Sequence, residues 1–514
     1  MSRFNTNKHK TTSDDLNELE EKELEGHLTD IDSADLFFLR LRRWKDYFTP
    51  DKVREKWSDP EFVNMLRNYP YLFVRTLQSS VSYYTMNKDA VGFHLAEELL
   101  MLGHEYQTSL SAEWRRNNPC WSLILQWSVG FFYYRKGSLG KALRLLEEVV
   151  EKAKELDFND MDMWSLKNNL ALVYRESGNL NSAIDLFQQC IEERPQDFAN
   201  RNSLGHIYSF KGFYGLALDW YGTALANLTA YIEEGKMRYC DSWLGRIYFE
   251  SAMIHHLRGD LGALGGMSEQ FHVWCSQCQG QTNPKTELKM VVLDFWLAFD
   301  KGDRFVAKSK LDELDKLNKE KPSFFTEQYY KTALVYFLKD SPKLSDKGRA
   351  LVLLTELIDD AWTKEGQLVI HPYLILADPF IPFIELKLQE YKLSEHHETL
   401  DEIRTFLDKT ITLAERGEVT KLQLDCLRIK AYLQILEGDF LSAEETYSQA
   451  LLTVTETQIP HYEELIKKER TQITENLKRY QEMVQQGAPL LERMETANFL
   501  SYIKECSQIM EDLE

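Results

Sequence analysis

An all-α solenoid of stacked helical hairpins is the fold this sequence predicts, and three observations predict it. A stretch of 34 residues reads again, without gaps, in the next 34. Proline is scarce (13 of 514 residues) and glycine modest (24), which suits long helices joined by tight turns. Apolar residues recur at helical spacing, and no segment shows the alternation of a half-buried strand.

The repeat is clearest in two windows. Trp164 to Asp197 reads WSLKNNLALVYRESGNLNSAIDLFQQCIEERPQD, and Phe198 to Tyr231 reads FANRNSLGHIYSFKGFYGLALDWYGTALANLTAY. Aligned, Leu170 falls on Leu204, Ala171 on Gly205, Tyr174 on Tyr208, Gly178 on Gly212, Ala183 on Ala217, Phe187 on Tyr221 and Cys190 on Ala224. Small residues at 171/205 and 183/217 let two helices approach closely, and large ones at 174/208 and 187/221 fill the space between hairpins. The glycine between them permits the interhelix turn, and Pro195 stops the second helix of the first window. Weaker copies surround Gly137 and Gly438, and Gly259-Asp260 and Gly302-Asp303 keep only the turn.

These residues resemble the tetratricopeptide repeat (TPR) family, whose repeats span 34 residues with small and large residues at these positions. The resemblance implies a TPR-type α-α superhelical solenoid with flanking helices and a helical C-terminal cap. Seven to eight hairpins are expected between about 60 and 455.

Taken in order, ten acidic residues from Asp14 to Asp35 stand against Lys22 alone, and residues 1–34 are expected to stay disordered. Residues 35–120 hold N-terminal helices and degenerate hairpins. They begin with DLFFLRLRRWKDYF, whose Phe37, Leu41 and Trp44 are expected to pack on the solenoid. The best-defined repeats span 121–231, degenerate hairpins 232–420, and a last repeat 421–456. Residues 457–514 form a long helix and a capping helix, as an open array requires. The tail QQGAPLLERMETANFLSYIKE resembles the ending of large archaeal TPR proteins.

Composition narrows the function. A net charge of −20 repels polyanions, so no nucleic-acid role is expected. Asn117–Tyr134 and Gln367–Ile384 are the most apolar stretches, but polar residues in the first and Asp378 with three prolines in the second argue against a membrane span. Seven dispersed cysteines and a polar start without an apolar core point to a reducing, cytoplasmic setting. Neither GxxxxGK[ST], a strand-linked GxGxxG, HExxH nor GxSxG occurs, so neither an enzyme nor a cofactor is expected.

The weak metal candidate is FHVWCSQCQ, with His272, Cys275 and Cys278. No second ligand pair follows, and Phe271, Trp274 and Cys278 continue an apolar stripe, so core packing is the expected role. His396-His397 reads as a polar helix start.

The family resemblance implies that the first helix of each hairpin lines a concave groove that holds a protein or peptide. Carried over, its groove positions fall on Ser165, Asn168, Asn169, Val173 in place of Leu172, Arg175 and Glu176. In the next repeat they fall on Ala199, Asn202, Ser203, Ile207, Ser209 and Phe210. The preceding hairpin offers Trp127, Ser128, Phe131, Tyr134 and Arg135. Asparagine amides carry donor and acceptor together and can grip a peptide backbone, while the aromatics supply an anchor. Ser165, Ala199 and Ser203 lack the cations of the family's carboxylate clamp, so capture of an acidic chaperone tail is not expected. The expected function is a non-catalytic scaffold or adaptor. The alternative is a sensor whose solenoid responds to a ligand or peptide and acts on a separate effector.

Overall fold

The computed structural model describes residues 18, 19, 21–23, 27, 29, 32, 36, 37, 50–85, 90–156, 160–235, 242–278, 284–361, 379–457 and 460–507. Among them the chain is all-α, a TPR-type helical solenoid without strands. Contacts divide it into two compact units: residues 1–176 with 185–193, and residues 177–184 with 194–514.

Unit 1 contains α1 (Pro50–Ser58), α2 (Pro60–Arg67), α3 (Pro70–Tyr84), α4 (Ala90–Ser109), α5 (Ala112–Asn117), α6 (Pro119–Arg135), α7 (Leu139–Glu155) and α8 (Asp160–Glu176). Helix α9 (Leu180–Glu193) contributes its first turn to unit 2 and the rest to unit 1. Proline opens α2, α3 and α6, where its missing N–H costs nothing. Within unit 1, α3 pairs with α4 and α6 with α7, and α3 and α6 lie side by side. Of the first 34 residues, expected to be disordered, most lie outside the described set. Leu19 is fully buried in this unit's core. Phe37 is buried against Phe62, with ring centres 5.0 Å apart; Leu41 and Trp44 lie outside the described residues.

Among its described residues, unit 2 is a run of six hairpins. These are α10 (Phe198–Lys211) with α11 (Tyr214–Glu233), α12 (Ser242–Leu257) with α13 (Leu261–Gln277), and α14 (Pro284–Asp300) with α15 (Arg304–Glu320). Then come α16 (Phe324–Lys339) with α17 (Leu344–Asp360), α18 (Phe380–Ser394) with α19 (His397–Arg416), and α20 (Thr420–Glu437) with α21 (Phe440–Thr457). Helices α22 (Pro460–Gln485), α23 (Leu490–Thr496) and α24 (Phe499–Ser507) follow.

Six of the turns share one construction. Gly137, Gly178, Gly212, Gly259, Gly302 and Gly438 all have φ between 70° and 92°, the left-handed region where a side chain is strained. At five of them the next residue donates its N–H back to the carbonyl five positions earlier, as in Asp260 to His255 and Asp303 to Ala298 (2.9–3.0 Å). Asp260, Asp303 and Asp439 then cap the following helix by accepting the N–H three residues on.

The small-to-large pairing inside hairpins is literal. A Cβ at Gly205 would lie 2.6 Å from the Tyr221 ring, and one at Gly245 would lie 2.3 Å from Trp274. The second helices bury a single stripe, Ala217, Tyr221, Ala224 and Leu228 in α11 for example, and turn the rest to solvent.

First helices behave differently. Eleven of the 14 residues of α10 and fifteen of the 18 of α20 are buried, and these two helices pack on each other across four intervening hairpins. The aliphatic stem of Lys421 covers Gly212, and Glu418 accepts the Asn181 N–H at 2.6 Å. Unit 2 therefore closes around α20. Among the described residues no helix is long and apolar enough to cross a membrane.

Two glycine substitutions separate packing from propensity. Gly245→Ala places a methyl into the rigid, buried Trp274 ring and is expected to destabilise by about 1–3 kcal/mol. Gly222→Ala, in open space on α11, should stabilise by roughly 0.5–1 kcal/mol through helix propensity. Urea titration of both variants reads the opposite signs directly.

Candidate functional site

The sequence-predicted groove residues divide between the two units. In unit 1, α6 and α8 are neighbours, tied by a 2.7 Å hydrogen bond from the Tyr134 hydroxyl to Glu176 Oε1. Burial, then the Glu176 charge, pushes the Tyr134 phenol well above its ordinary value, so it stays a donor. Tyr134 and Trp127 are buried in the core of this unit. Trp127 lies 5.8 Å beneath the Arg75 guanidinium, so it is floor rather than an accessible anchor.

Phe131 is half-buried, 5.6 Å from the Tyr134 ring, and the Arg135 guanidinium sits 6.0 Å from its face. Arg135 also donates to the Thr85 carbonyl from Nε and Nη2 (3.3 and 3.2 Å), which fixes its direction. Arg175 is buried, with Nη2 at 3.4 Å from Glu176 Oε1 and Nε without a hydrogen-bond partner among the described residues.

Ser165, Asn168 and Asn169 are half-buried on α8. Among the described residues the two asparagine amides have no hydrogen-bond partner in the chain. Helix α8 is held in place by Trp164 Nε1 donating to the Cys190 carbonyl (3.0 Å) and by Lys167 against Glu193 (2.6 Å). Val173, expected to face the groove, is instead fully buried in the core and Leu172 is half-buried.

In unit 2 the predicted groove positions are not open. Asn202 is fully buried and Ser203 is 5% exposed, because α10 is enclosed within its own unit. Ile207, Ser209 and Phe210 are buried with them. Asn202 keeps both amide atoms without a partner, and Ser203 donates back to the Ala199 carbonyl at 3.0 Å. Nearby, burial raises the Glu250 carboxyl, but Arg246 at 2.7 Å, His206 and Lys289 outweigh it and hold the group ionised. Sequence reasoning missed this closure. Its signal was α20 itself, with Leu422, Leu424, Leu427, Ile429, Leu433 and Leu436 spread around every face.

The metal candidate comes apart. His272 Nε2 sits 2.8 Å from Asp294 Oδ1, on the neighbouring helix α14. Cys278 is buried and disulfide-bonded, its partner lying outside the described residues. Burial raises the Cys275 thiol to about 11, so it offers no thiolate at neutral pH. No group of three or more metal-ligating side chains occurs among the described residues.

Residues 165–197 match the family model for the tetratricopeptide repeat. The chain is 26% identical over 157 residues to the human cell division cycle protein 16 homolog, a match covering 29% of this chain and 25% of that protein. It is 27% identical over 85 residues to photosystem I assembly protein Ycf3 of Prochlorococcus marinus, covering 16% of this chain and 49% of that one. The matched segments thus span a quarter to a half of these relatives. Among solved structures, the TPR-like repeats of a Podosopora anserina kinesin light chain share 18% identity, covering 39% of this chain and 98% of that one, with a TM-score of 0.31. Yeast Tom70 shares 12% identity, covering 86% and 95%, with a TM-score of 0.32. The chain carries a tetratricopeptide repeat. The archaeal likeness of its tail gains no support from these relatives.

The His272 pair gives a titration test. Its hydrogen bond to Asp294, opposed by partial burial, raises the imidazole above its ordinary 6.5. A raised folded value means that the stabilisation is complete below about pH 6.5 and fades as pH rises through the folded value. NMR titration should place His272 above 6.5 in the wild type and return it toward 6.5 in Asp294→Asn.

Proposed function

We propose that this chain is a non-catalytic interaction scaffold, or adaptor, that binds a peptide or protein partner on the first helices of unit 1. The observation that carries the reading is the pair of half-buried, unpartnered amides of Asn168 and Asn169 on α8. Neither amide is sealed from solvent, so each can exchange water for the donor and acceptor of a peptide backbone. Half-buried Phe131 and the directed guanidinium of Arg135 border α8 from α6 and supply an apolar and a cationic contact. A relative whose name makes it an assembly protein fits the same class of role. The chain's net charge of −20 favours a partner that is neutral or basic overall.

Asn202 and Ser203 do not enter this surface, because both are buried within unit 2. Peptides selected from a display library against the full chain provide the probe. Their affinity for an Asn168→Ala/Asn169→Ala variant should fall about five- to a hundredfold, since two backbone hydrogen bonds contribute roughly 1–3 kcal/mol together. The melting temperature should not change. Unchanged affinity in the folded variant sinks the assignment.

A further inference from the structure

We propose that unit 1 holds a binding site for a small aromatic monocarboxylate, in a pocket between α3, α4, α5 and α6. The site is separate from the peptide surface on α8 and does not depend on it.

The pocket encloses about 320 Å³ out to its mouth, near the lower end for ligand sites, so it takes one small molecule. Val74 of α3, Gly103 and Tyr106 of α4 and Leu125 of α6 line it and are buried. A Cβ at Gly103 would lie 2.9 Å from the side chains of Leu77 and Leu125, so the glycine is what lets α4 close on both α3 and α6. The pocket is thus a pit among four helices rather than a groove along one.

Its walls are aromatic and already set. The Tyr106 hydroxyl donates to the Arg67 carbonyl at 2.7 Å, and its ring lies 4.3 Å from Phe73. The rings of Trp114 and Trp121, which line the outer part, stand 5.3 Å apart at 71°. The Trp114 backbone is fixed from both sides. Its N–H donates to Ser111 Oγ at 3.0 Å, and its carbonyl accepts from Asn118 Nδ2 at 2.8 Å. A flat ring therefore meets faces and edges it can pack on without first ordering them.

The polar groups at the pocket select the charge of the occupant. Trp121 is only 6% exposed, yet its indole N–H has no hydrogen-bond partner among the described residues. A buried indole N–H is ordinarily paired, so this donor is left for a ligand. Gln107 Nε2 donates to Ser122 Oγ at 2.6 Å, which leaves the Ser122 hydroxyl proton to give. Arg115 stands exposed at the rim, and its guanidinium makes no hydrogen bond or ion pair among the described residues, although Glu113 shares its helix. Two neutral donors and a cation, with no carboxylate in the lining, suit an anionic acceptor. One cation matches one negative charge, and a chain of net charge −20 disfavours a more highly charged ligand.

Calorimetric titration of 1-naphthylacetate, indole-3-acetate and phenylacetate into the full chain tests the site. At least one acid should bind with a Kd below about 1 mM, and its neutral amide about tenfold more weakly. Arg115→Gln, a change at an exposed side chain, should weaken the acid about tenfold and leave the amide unchanged. Ser122→Leu, which fills the mouth, should abolish binding of both. Leu110→Trp fills it from α4 and replaces that variant if it fails to melt cooperatively. Absence of binding by all three acids overturns the proposal, and so does an affinity that Arg115→Gln or the filled pocket leaves intact. The Asn168→Ala/Asn169→Ala variant should bind the acid as wild type does. A loss there would move the acid to the α8 surface and overturn this assignment while leaving that surface in place.

Discussion

A helix that is apolar on every face has to be surrounded, and α20 is such a helix. With fifteen of its 18 residues buried, it is enclosed by α19, α21 and the three helices that follow, and it brings α10 into contact across four hairpins. Its polar residues follow the same demand. Asp425 has no exposure and is met by Lys421, Arg428 and Tyr462, while Arg428 is met in turn by Glu469. A buried charge left unpaired costs about 3–5 kcal/mol, which is why these five side chains come as a set. The arrangement of unit 2 is set by this requirement more than by any one repeat.

The repeat chemistry provides the units that wrap. Left-handed glycines reverse the chain, aspartates cap the helix that follows, and a missing Cβ at Gly205 or Gly245 lets an aromatic ring from the second helix lie against the first. Second helices need only one buried stripe and leave their other faces to water. First helices use their remaining faces inward. In unit 2 those faces meet other parts of the unit, α20 and the tail helices among them. In unit 1, α8 retains half-buried amides without hydrogen-bond partners among the described residues. Recognition and closure are thus two uses of one kind of surface.

Much of this was legible in the residues. The ungapped match of Trp164–Asp197 to Phe198–Tyr231 located the turn glycines and the small-to-large pairs, and the Gly-Asp turns at 259 and 302 marked hairpins whose helices had lost the signature. The candidate site was legible only in part. Positions carried over from an open groove named Asn168 and Asn169, which are half-buried and unpaired, but also Asn202 and Ser203, which are sealed within unit 2. Periodicity within one repeat describes which side of a helix faces inward. It carries no information about what else in the chain arrives there.

The sequence by itself determined the local order: helices from apolar spacing, reversals from glycine, caps from aspartate, and close pairing from small residues opposite aromatic ones. Each of these is a contest among neighbours within about one repeat of chain, so the residues involved state the outcome. Only the tertiary structure decided which inward faces are filled and which are free. That choice depends on contacts such as Glu418 with Asn181 and Tyr432 with Phe499, which join residues 237 and 67 positions apart. Their free energy comes from desolvating surfaces that no local pattern pairs with one another.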